Sequence, residues 1–281
     1  MCINPSDSGE AATPPHFFIP GWDVVGYATL DSTNLEAKRR IAQGYAEKSL
    51  ILAESQTNGQ CRHDRLWISP PDAGIWASFI LPVSVPREAL PQSTLVLAVA
   101  VQEGISKATG ISLKIKWPND LLGNRKKCCG LLVEADPEKA SPASVPLILG
   151  VGINCNQTEE AFPPDLREIA TSLSILASGQ VHPREHILRA VADSIEHWFG
   201  IWQKQGFAPV RNAWITHSGT LGNAVILPEG YGQPHGLAHG LDPSGALLVL
   251  AENGEEIRIE SGEILFPASG LRGSALHSVR L

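Results

Sequence analysis

The chain has 281 residues, 43% of them hydrophobic and 18% charged, with a formal net charge of −7. That length supports one large domain, or one large and one small. The acidic balance carries no electrostatic footprint for nucleic acid, and no apolar run reaches the roughly 20 residues that span a bilayer.

Met1 to Pro15 contains no Lys or Arg and no apolar stretch, so it does not read as a secretory signal; residues 1–21 are expected to form a flexible tail. Trp22 to Tyr27 reads as a first strand. Thr29 to Asn34 is a polar turn, and Thr33 with Glu36 has capping-box spacing, which predicts a helix running to Gly44. Ser32 and Thr33 then cap that helix, although a helix N-terminus also offers hydroxyls and amides to a carbonyl or anion. Ser49 to Ala53 is a short apolar strand, and Asn58-Gly59 signals a turn. Gln60 to Trp67 is a polar loop with Arg62 and Arg65, either a solvated surface loop or a phosphate clamp that closes over a ligand. It is not a Walker loop. Ile75 to Leu81 is a buried strand, and Thr94 to Thr109 a helix ended by Gly110.

Leu113 to Lys116 alternates as a strand with one buried face. Pro118 stops it, and Asn119 and Asp120 follow as turn formers. After a turn at Gly123-Asn124, a second strand runs from Lys127 to Glu134. The resulting hairpin presents Asp120 near Lys127. Such a pair suits a polyphosphate with magnesium, the carboxylate on the metal and the ammonium on phosphate oxygens; the plainer alternative is a surface ion pair of little worth.

Val145 to Asn156 is a further strand. Its Gly150-x-Gly152 lacks the third glycine and the following helix of a dinucleotide site, and the plainer alternative for a glycine there is a bulge. Ala170 to Leu173 starts a helix. His182-Pro183 opens a longer one to Gln205, with Ile187, Val191, Ile195 and Phe199 on one stripe. His182 and His186 have i, i+4 spacing but no third ligand nearby, so they read as surface histidines. From Gly222 short alternating runs separated by turns predict a β-barrel or sandwich of about 50 residues. The five cysteines, Cys2, Cys61, Cys128, Cys129 and Cys155, are odd in number and form no C-x-x-C, as expected of reduced thiols in a cytoplasmic protein.

The phrase Lys116-Trp117-Pro118-Asn119-Asp120-Leu121, followed by Lys127 and Gly130-Leu131-Leu132-Val133-Glu134, closely resembles the central motif of biotin protein ligases. Asp31-Ser32-Thr33-Asn34, Glu54-x-Gln56-Thr57-x-Gly59, Gly152-Ile153-Asn154 and the run from Gly236 to Leu247 are similar to other parts of that family, and the resemblance covers roughly Trp22 to Leu265. It implies an α+β fold: a mixed or antiparallel-sheet ligase catalytic domain with packed helices over residues 22–218, a small SH3-like C-terminal β-barrel over 219–270, and a tail over 271–281. It implies an ATP-dependent ligase that activates biotin as biotinyl-AMP and transfers it to a lysine of a biotin carboxyl carrier protein. By the same resemblance, Ser32, Thr33, Asn34, Gln56, Gly59, Arg62, Trp67, Lys127 and Gly130 bind biotin. Arg62, Arg65, Trp67, Asn119 and Asn154 hold the nucleotide. Lys127, Asp120 and Arg62 carry the chemistry, with Asp120 also a ligand to Mg2+.

The loop departs from the family pattern Gly-Arg-Gly-Arg-x-Gly-Arg: Gln60 stands for an arginine, and Cys61 and Asp64 for glycines. One lost cation and two lost flexible joints weaken the expected hold on the adenylate. Two other classes of function remain open, a non-enzymatic biotin or biotinyl-AMP binding protein and a lipoate-type acyl ligase. Some family members carry an N-terminal helix-turn-helix of roughly 60 residues. Only about 21 residues precede the first expected strand here, so the monofunctional type without DNA binding is expected, as a monomer or homodimer and away from membranes.

Overall fold

The computed structural model describes residues 17–62, 66–135, 144–231 and 235–267. Strand β1 (Asp23–Leu30) leads into helix α1 (Thr33–Ala42), then β2 (Ser49–Gln60), β3 (Leu66–Ser69) and β4 (Gly74–Val83). A 3-10 turn at Arg87–Gln92 precedes α2 (Ser93–Thr109), β5 (Lys114–Lys116), β6 (Asp120–Gly123), β7 (Lys126–Ala135) and β8 (Val145–Asn154). The short α3 (Leu173–Leu176), the long α4 (Arg184–Gln205) and α5 (Ala208–His217) are followed by β9 (Ala224–Ile226), β10 (His235–Leu241), β11 (Leu247–Ala251) and β12 (Glu256–Ile259).

The first sheet runs β1-β2-β4-β8-β7-β6-β5, with β3 paired to β2. β1 lies parallel to β2, with α1 as the crossover between them, and the other pairs are antiparallel. Alternation along the central strands gives the sheet two covered faces. Leu50, Leu52, Phe79, Leu81, Leu147 and Leu149 face the core that includes α2 and α4. Ile51, Ile80 and Ile148, one residue out of step, face Ala37 and Ile41 of α1. The fold is thus the expected α+β arrangement with a mixed sheet. Cys128 and Cys129 are both fully buried because both faces are covered at that point.

Several local expectations change. Asn58-Gly59 is not a turn: β2 continues through it, and β3 returns so that Gly59 lies opposite Trp67 after a register shift. Asp120 is not in a loop either. It starts β6, between Lys116 of β5 and Gly130 of β7. The capping box is absent, because Ser32 is the N-cap and the Glu36 carboxylate accepts from Tyr27 Oη and Arg39 instead. Gly150 and Gly152 do not mark a bulge; β8 keeps register with β4 throughout. His182 is buried rather than on the surface. Residues 17–21, expected within the tail, pack against the domain through a fully buried Ile19. Helix α5 escaped the sequence reading because only Val210 and Trp214 of its ten residues are buried, too few to print a stripe.

The four C-terminal strands form a second antiparallel sheet, β12-β11-β10-β9. It is joined to the central motif through Trp117, whose backbone N–H donates to Thr220 Oγ1 (2.9 Å) and whose indole donates to the Gly245 carbonyl (3.3 Å). The turn between β10 and β11 is held by Asp242, whose Oδ1 accepts from Ser244 N, Ser244 Oγ and Ala246 N at 2.7–2.9 Å while Oδ2 meets Arg258. Burial pushes this carboxyl up, but Arg258 and the Ser244 and Ala246 donors outweigh it and hold the pKa at about 2. A folded-state pKa below the ordinary carboxylate value contributes stability above that ordinary value and loses it as pH falls toward 2. Asp242→Asn is therefore expected to cost on the order of 1–2 kcal/mol at pH 7 and much less near pH 2. Urea unfolding of both proteins at the two pH values measures it; an equal gap at both would refute the carboxylate's role.

Candidate functional site

The site is built on the α1 face of the sheet. Register places Trp76, Gly152 and Gly130 in one row across β4, β8 and β7, and Ser78, Gly150 and Leu132 in the next. The glycines are there because other side chains lie on the strands. A Cβ at Gly150 would stand 2.4 Å from Asn34 Oδ1, and one at Gly130 or Gly152 would stand 2.7 or 2.9 Å from the Trp67 ring. Trp67 itself meets Trp76 edge-on, with centroids 6.4 Å apart. Above this floor opens a cavity of about 260 Å³ between the start of α1, the β2–β3 hairpin and the segment 161–170.

One end of the cavity is polar and neutral. Ser32 and Thr33 line it and are nearly fully buried. Gln56 Oε1 accepts from Thr33 N (2.8 Å) and faces Thr33 Oγ1 (3.2 Å), while Gln56 Nε2 donates to Ser69 Oγ (2.8 Å). The other end is charged. Lys127 Nζ lies 2.6 Å from Asp120 Oδ1 and 5.2 Å from the Trp67 ring centroid, a cation–π contact. Lys116 Nζ stands between Asp120 (3.9 Å) and Glu263 (4.0 Å). Lys127, Asp120 and Glu263 line this end and Lys116 bridges the two carboxylates, so an anion arriving there meets an ammonium group.

Of the residues expected to bind biotin, Ser32, Thr33, Asn34, Gln56, Arg62, Trp67, Lys127 and Gly130 all line this cavity; Gly59 does not, its position allowing β3 to approach, since a Cβ there would be 2.6 Å from the Trp67 carbonyl. Asn34 turns its polar atoms into the protein, to Ser78 and Glu134. Among the nucleotide residues, Asn119 and Asn154 line the cavity too. Asn154 Nδ2 donates to the Thr171 carbonyl (3.0 Å) and its Oδ1 accepts from Gln157 Nε2 (3.3 Å). Arg62 Nη1 donates to the Gly262 carbonyl (3.0 Å) and to Asn119 Oδ1 (3.3 Å), which fixes it between the loop and the C-terminal sheet. Arg65 and Asp64 lie outside the described residues.

The sequence reading missed Lys116, Glu263, Gln157 and Ser78. Lys116 stood within the motif but read as a strand residue, and Glu263 comes from the far end of the chain. Ser78 had a usable signal: it is the one hydroxyl in the apolar run Ile75 to Leu81. Behind the site, Cys128 and Cys129 are pushed up by burial and Cys155 is raised to about 12 by the same cause, so these thiols stay protonated and unreactive. Among the described residues no cluster of three His, Cys, Asp or Glu side chains has metal-holding geometry, and no helix is long and apolar enough to cross a membrane.

Comparison with known proteins bears on this site directly. Residues 25–154 match the biotin/lipoate A/B protein ligase family, and residues 220–266 match the biotin protein ligase C terminal domain. The chain is 36% identical over 236 residues to the bifunctional ligase/repressor BirA of Bacillus subtilis, covering 84% of this chain and 72% of that protein. It is 32% identical to the biotin--[acetyl-CoA-carboxylase] ligase of Paracoccus denitrificans over 247 residues, covering 85% of this chain and 98% of the relative. Among solved structures, the biotin protein ligase from Aquifex aeolicus in complex with biotin and ATP superposes with a TM-score of 0.71 at 30% identity, over 88% of this chain and 99% of that one.

Proposed function

Because this chain belongs to the biotin protein ligase family, we propose that it activates biotin with ATP as biotinyl-AMP and transfers the biotinyl group to a lysine of a biotin carboxyl carrier protein. The observation that supports the reading best is the cavity's polarity: a neutral hydrogen-bonding end at Ser32, Thr33 and Gln56 and a charged end at Lys127 and Asp120, joined by an apolar floor. A cyclic urea fits the first end and a carboxylate meeting a phosphate fits the second.

In the first step a biotin carboxylate oxygen attacks the α-phosphorus of ATP and pyrophosphate leaves. Two anions approach each other, and Lys127 leaves Asp120 to stand between them. Arg62 faces the same space from the loop, and Arg65 is assigned the same task. Asn154 and Asn119 border the adenosine part, with Trp67 as the aromatic wall between the ligand's two halves. In the second step the acceptor lysine, nearly all ammonium at pH 7 with a pKa of about 10.4, needs its proton removed. Asp120 accepts it, the amine attacks the carbonyl carbon, and AMP leaves. Both Asp120 oxygens face ammonium groups, an arrangement suited to magnesium arriving on the phosphates of ATP with one protein carboxylate to meet it, rather than to a resident ion. Bound there, the metal would neutralise phosphate charge. The catalytic unit is assigned to residues 22–218 and the C-terminal unit to 219–270. Three buried protonated thiols suit a reducing compartment, the cytoplasm.

Pyrophosphate release with biotin, and its absence with lipoate, tests the assignment against the lipoate-type alternative. Binding of biotin with no pyrophosphate would favour a mere binding protein. The unusual loop gives a separate prediction. Gln60 and Cys61 line the cavity where the family pattern has Arg and Gly. Restoring Gln60→Arg with Cys61→Gly adds one charge-assisted contact, and release of preloaded biotinyl-AMP is expected to slow about ten- to a hundredfold. An unchanged release rate would show that these positions never touch the intermediate.

A further inference from the structure

Beneath Thr33 a chain of hydrogen bonds runs from the cavity to the protein surface. Thr33 Oγ1 is 2.8 Å from Ser78 Oγ, Ser78 Oγ is 2.5 Å from Asn34 Oδ1, Asn34 Nδ2 is 2.9 Å from Glu134 Oε2, and Glu134 Oε1 is 2.6 Å from Lys38 Nζ. Ser78 is fully buried, Asn34 nearly so. We propose that Ser78, Asn34 and Glu134 are positioning residues whose combined polarity makes Thr33 an obligate hydrogen-bond acceptor, so that the site selects a ligand presenting an N–H. The inference rests on the assignment of Thr33 to the biotin end of the cavity.

The direction of each bond follows from the group at the far end. Lys38 is a donor only, and the Glu134 carboxylate an acceptor only. Glu134 therefore takes the Asn34 Nδ2 side, and Nδ2 also reaches the Leu132 carbonyl at 3.4 Å. That orientation turns Asn34 Oδ1 onto Ser78, and Oδ1 can only accept. The single hydroxyl proton of Ser78 is thus committed to Asn34, at the shortest contact in the chain. Ser78 Oγ stands in donor geometry to Thr33 Oγ1 as well (2.8 Å), but with its one proton on Asn34 (2.5 Å) neither it nor Gln56 Oε1, toward which Thr33 Oγ1 points at 3.2 Å, has a proton to give Thr33. Whichever of them Thr33 donates to, its own lone pairs are left for the cavity. Gly150 is part of the device, since any Cβ there would displace Asn34 Oδ1. A buried acceptor without a donor disfavours ligands that offer none. A cyclic urea offers N–H groups; a dithiolane ring offers none.

The test uses the full chain and compares Glu134→Gln with Glu134→Ala. Lys38 holds the new carboxamide by its oxygen, so Glu134→Gln presents N–H groups to Asn34. Two donors then face each other until Asn34 turns over and Ser78 is freed to donate to Thr33, which occupies one of the two Thr33 lone pairs from within. Glu134→Ala only removes a partner and leaves Asn34 oriented by Leu132. The isosteric change is thus expected to be the worse one: KM for biotin should rise about tenfold in Glu134→Gln and less than about threefold in Glu134→Ala, with KM for ATP and kcat nearly unchanged in both. In Ser78→Ala the Glu134→Gln change should add nothing further, because the signal passes through Ser78. A biotin methylated on its ureido nitrogens should lose affinity for the wild type and show no gap between wild type and Glu134→Gln. If Ala is as harmful as Gln, or Gln is harmless, the relay is wrong while the biotin assignment stands. If the wild type neither binds biotin nor releases pyrophosphate with it, the assignment and the relay fall together.

Discussion

Lys127→Ala abolishes adenylation: the rate of biotinyl-AMP formation is expected to fall by more than about 100-fold, on the scale of losing a preorganised electrostatic stabiliser. The geometry explains why no neighbour rescues it. Lys127 lies 2.6 Å from Asp120 and over the Trp67 ring, at the charged end of the cavity. Lys116 also faces Asp120, but it stands between that carboxylate and Glu263 at 3.9 and 4.0 Å, and Arg62 is held by Asn119 and the Gly262 carbonyl. In the variant, Asp120 keeps its charge without its near partner, which adds repulsion to the loss of attraction. Single-turnover formation of labelled biotinyl-AMP measures the effect. Near-normal formation would remove Lys127 from the chemistry. Lys127→Arg keeps a charge but not the compact ammonium, and is expected to fall between the two.

Gly152→Val is the second change of large expected effect, and it acts through shape alone. A Cβ at this position meets Trp67 Nε1 and Cε2 at 2.9 Å, so valine forces the ring off the floor. Position 152 lies inside β8, where valine is a good strand former, so the fold should survive. Displacing the aromatic wall misplaces both halves of the ligand, and a displacement near 1 Å costs about 100-fold. The expected result is a loss of at least that size in kcat/KM for biotin, with an unchanged circular dichroism spectrum. Gly130→Val, whose Cβ would meet the same ring at 2.7 Å, should do the same. Full activity in either variant would mean that Trp67 moves freely and is no wall.

These two residues also mark how far the sequence could be read. Lys127 was legible because it follows a phrase with rare residues, Trp117 and Pro118, at fixed spacing. Gly152 was visible, but the plainer alternative offered for it, a bulge, is not what the structure shows. A glycine pair two apart in a strand places both on one face, and that is the pattern of something lying against the strand; reading it as a bulge ignored the spacing. The turn assigned to Asn58-Gly59 failed for a related reason, since Gly59 serves a close approach of β3 inside a continuing strand. The C-terminal strands were read well because alternation and turns suffice for an antiparallel sheet. What no local pattern could show is which distant segments meet: Glu134 reaching Asn34, or Glu263 reaching Lys116, are contacts that only packing defines.

The bond from Arg62 to the Gly262 carbonyl joins two points 200 residues apart in the chain. A polypeptide leaving the ribosome therefore holds its loop arginine long before the atom that receives it exists. Biotin and ATP can stabilise a protein only in a state that binds them, and the wall containing Arg62 and Glu263 is complete only when synthesis has passed those last residues. Ligand-dependent protection from proteolysis should accordingly appear late and abruptly in nascent chains, and chains stalled before Ser261 should be cleared at the same rate whether or not the vitamin is present.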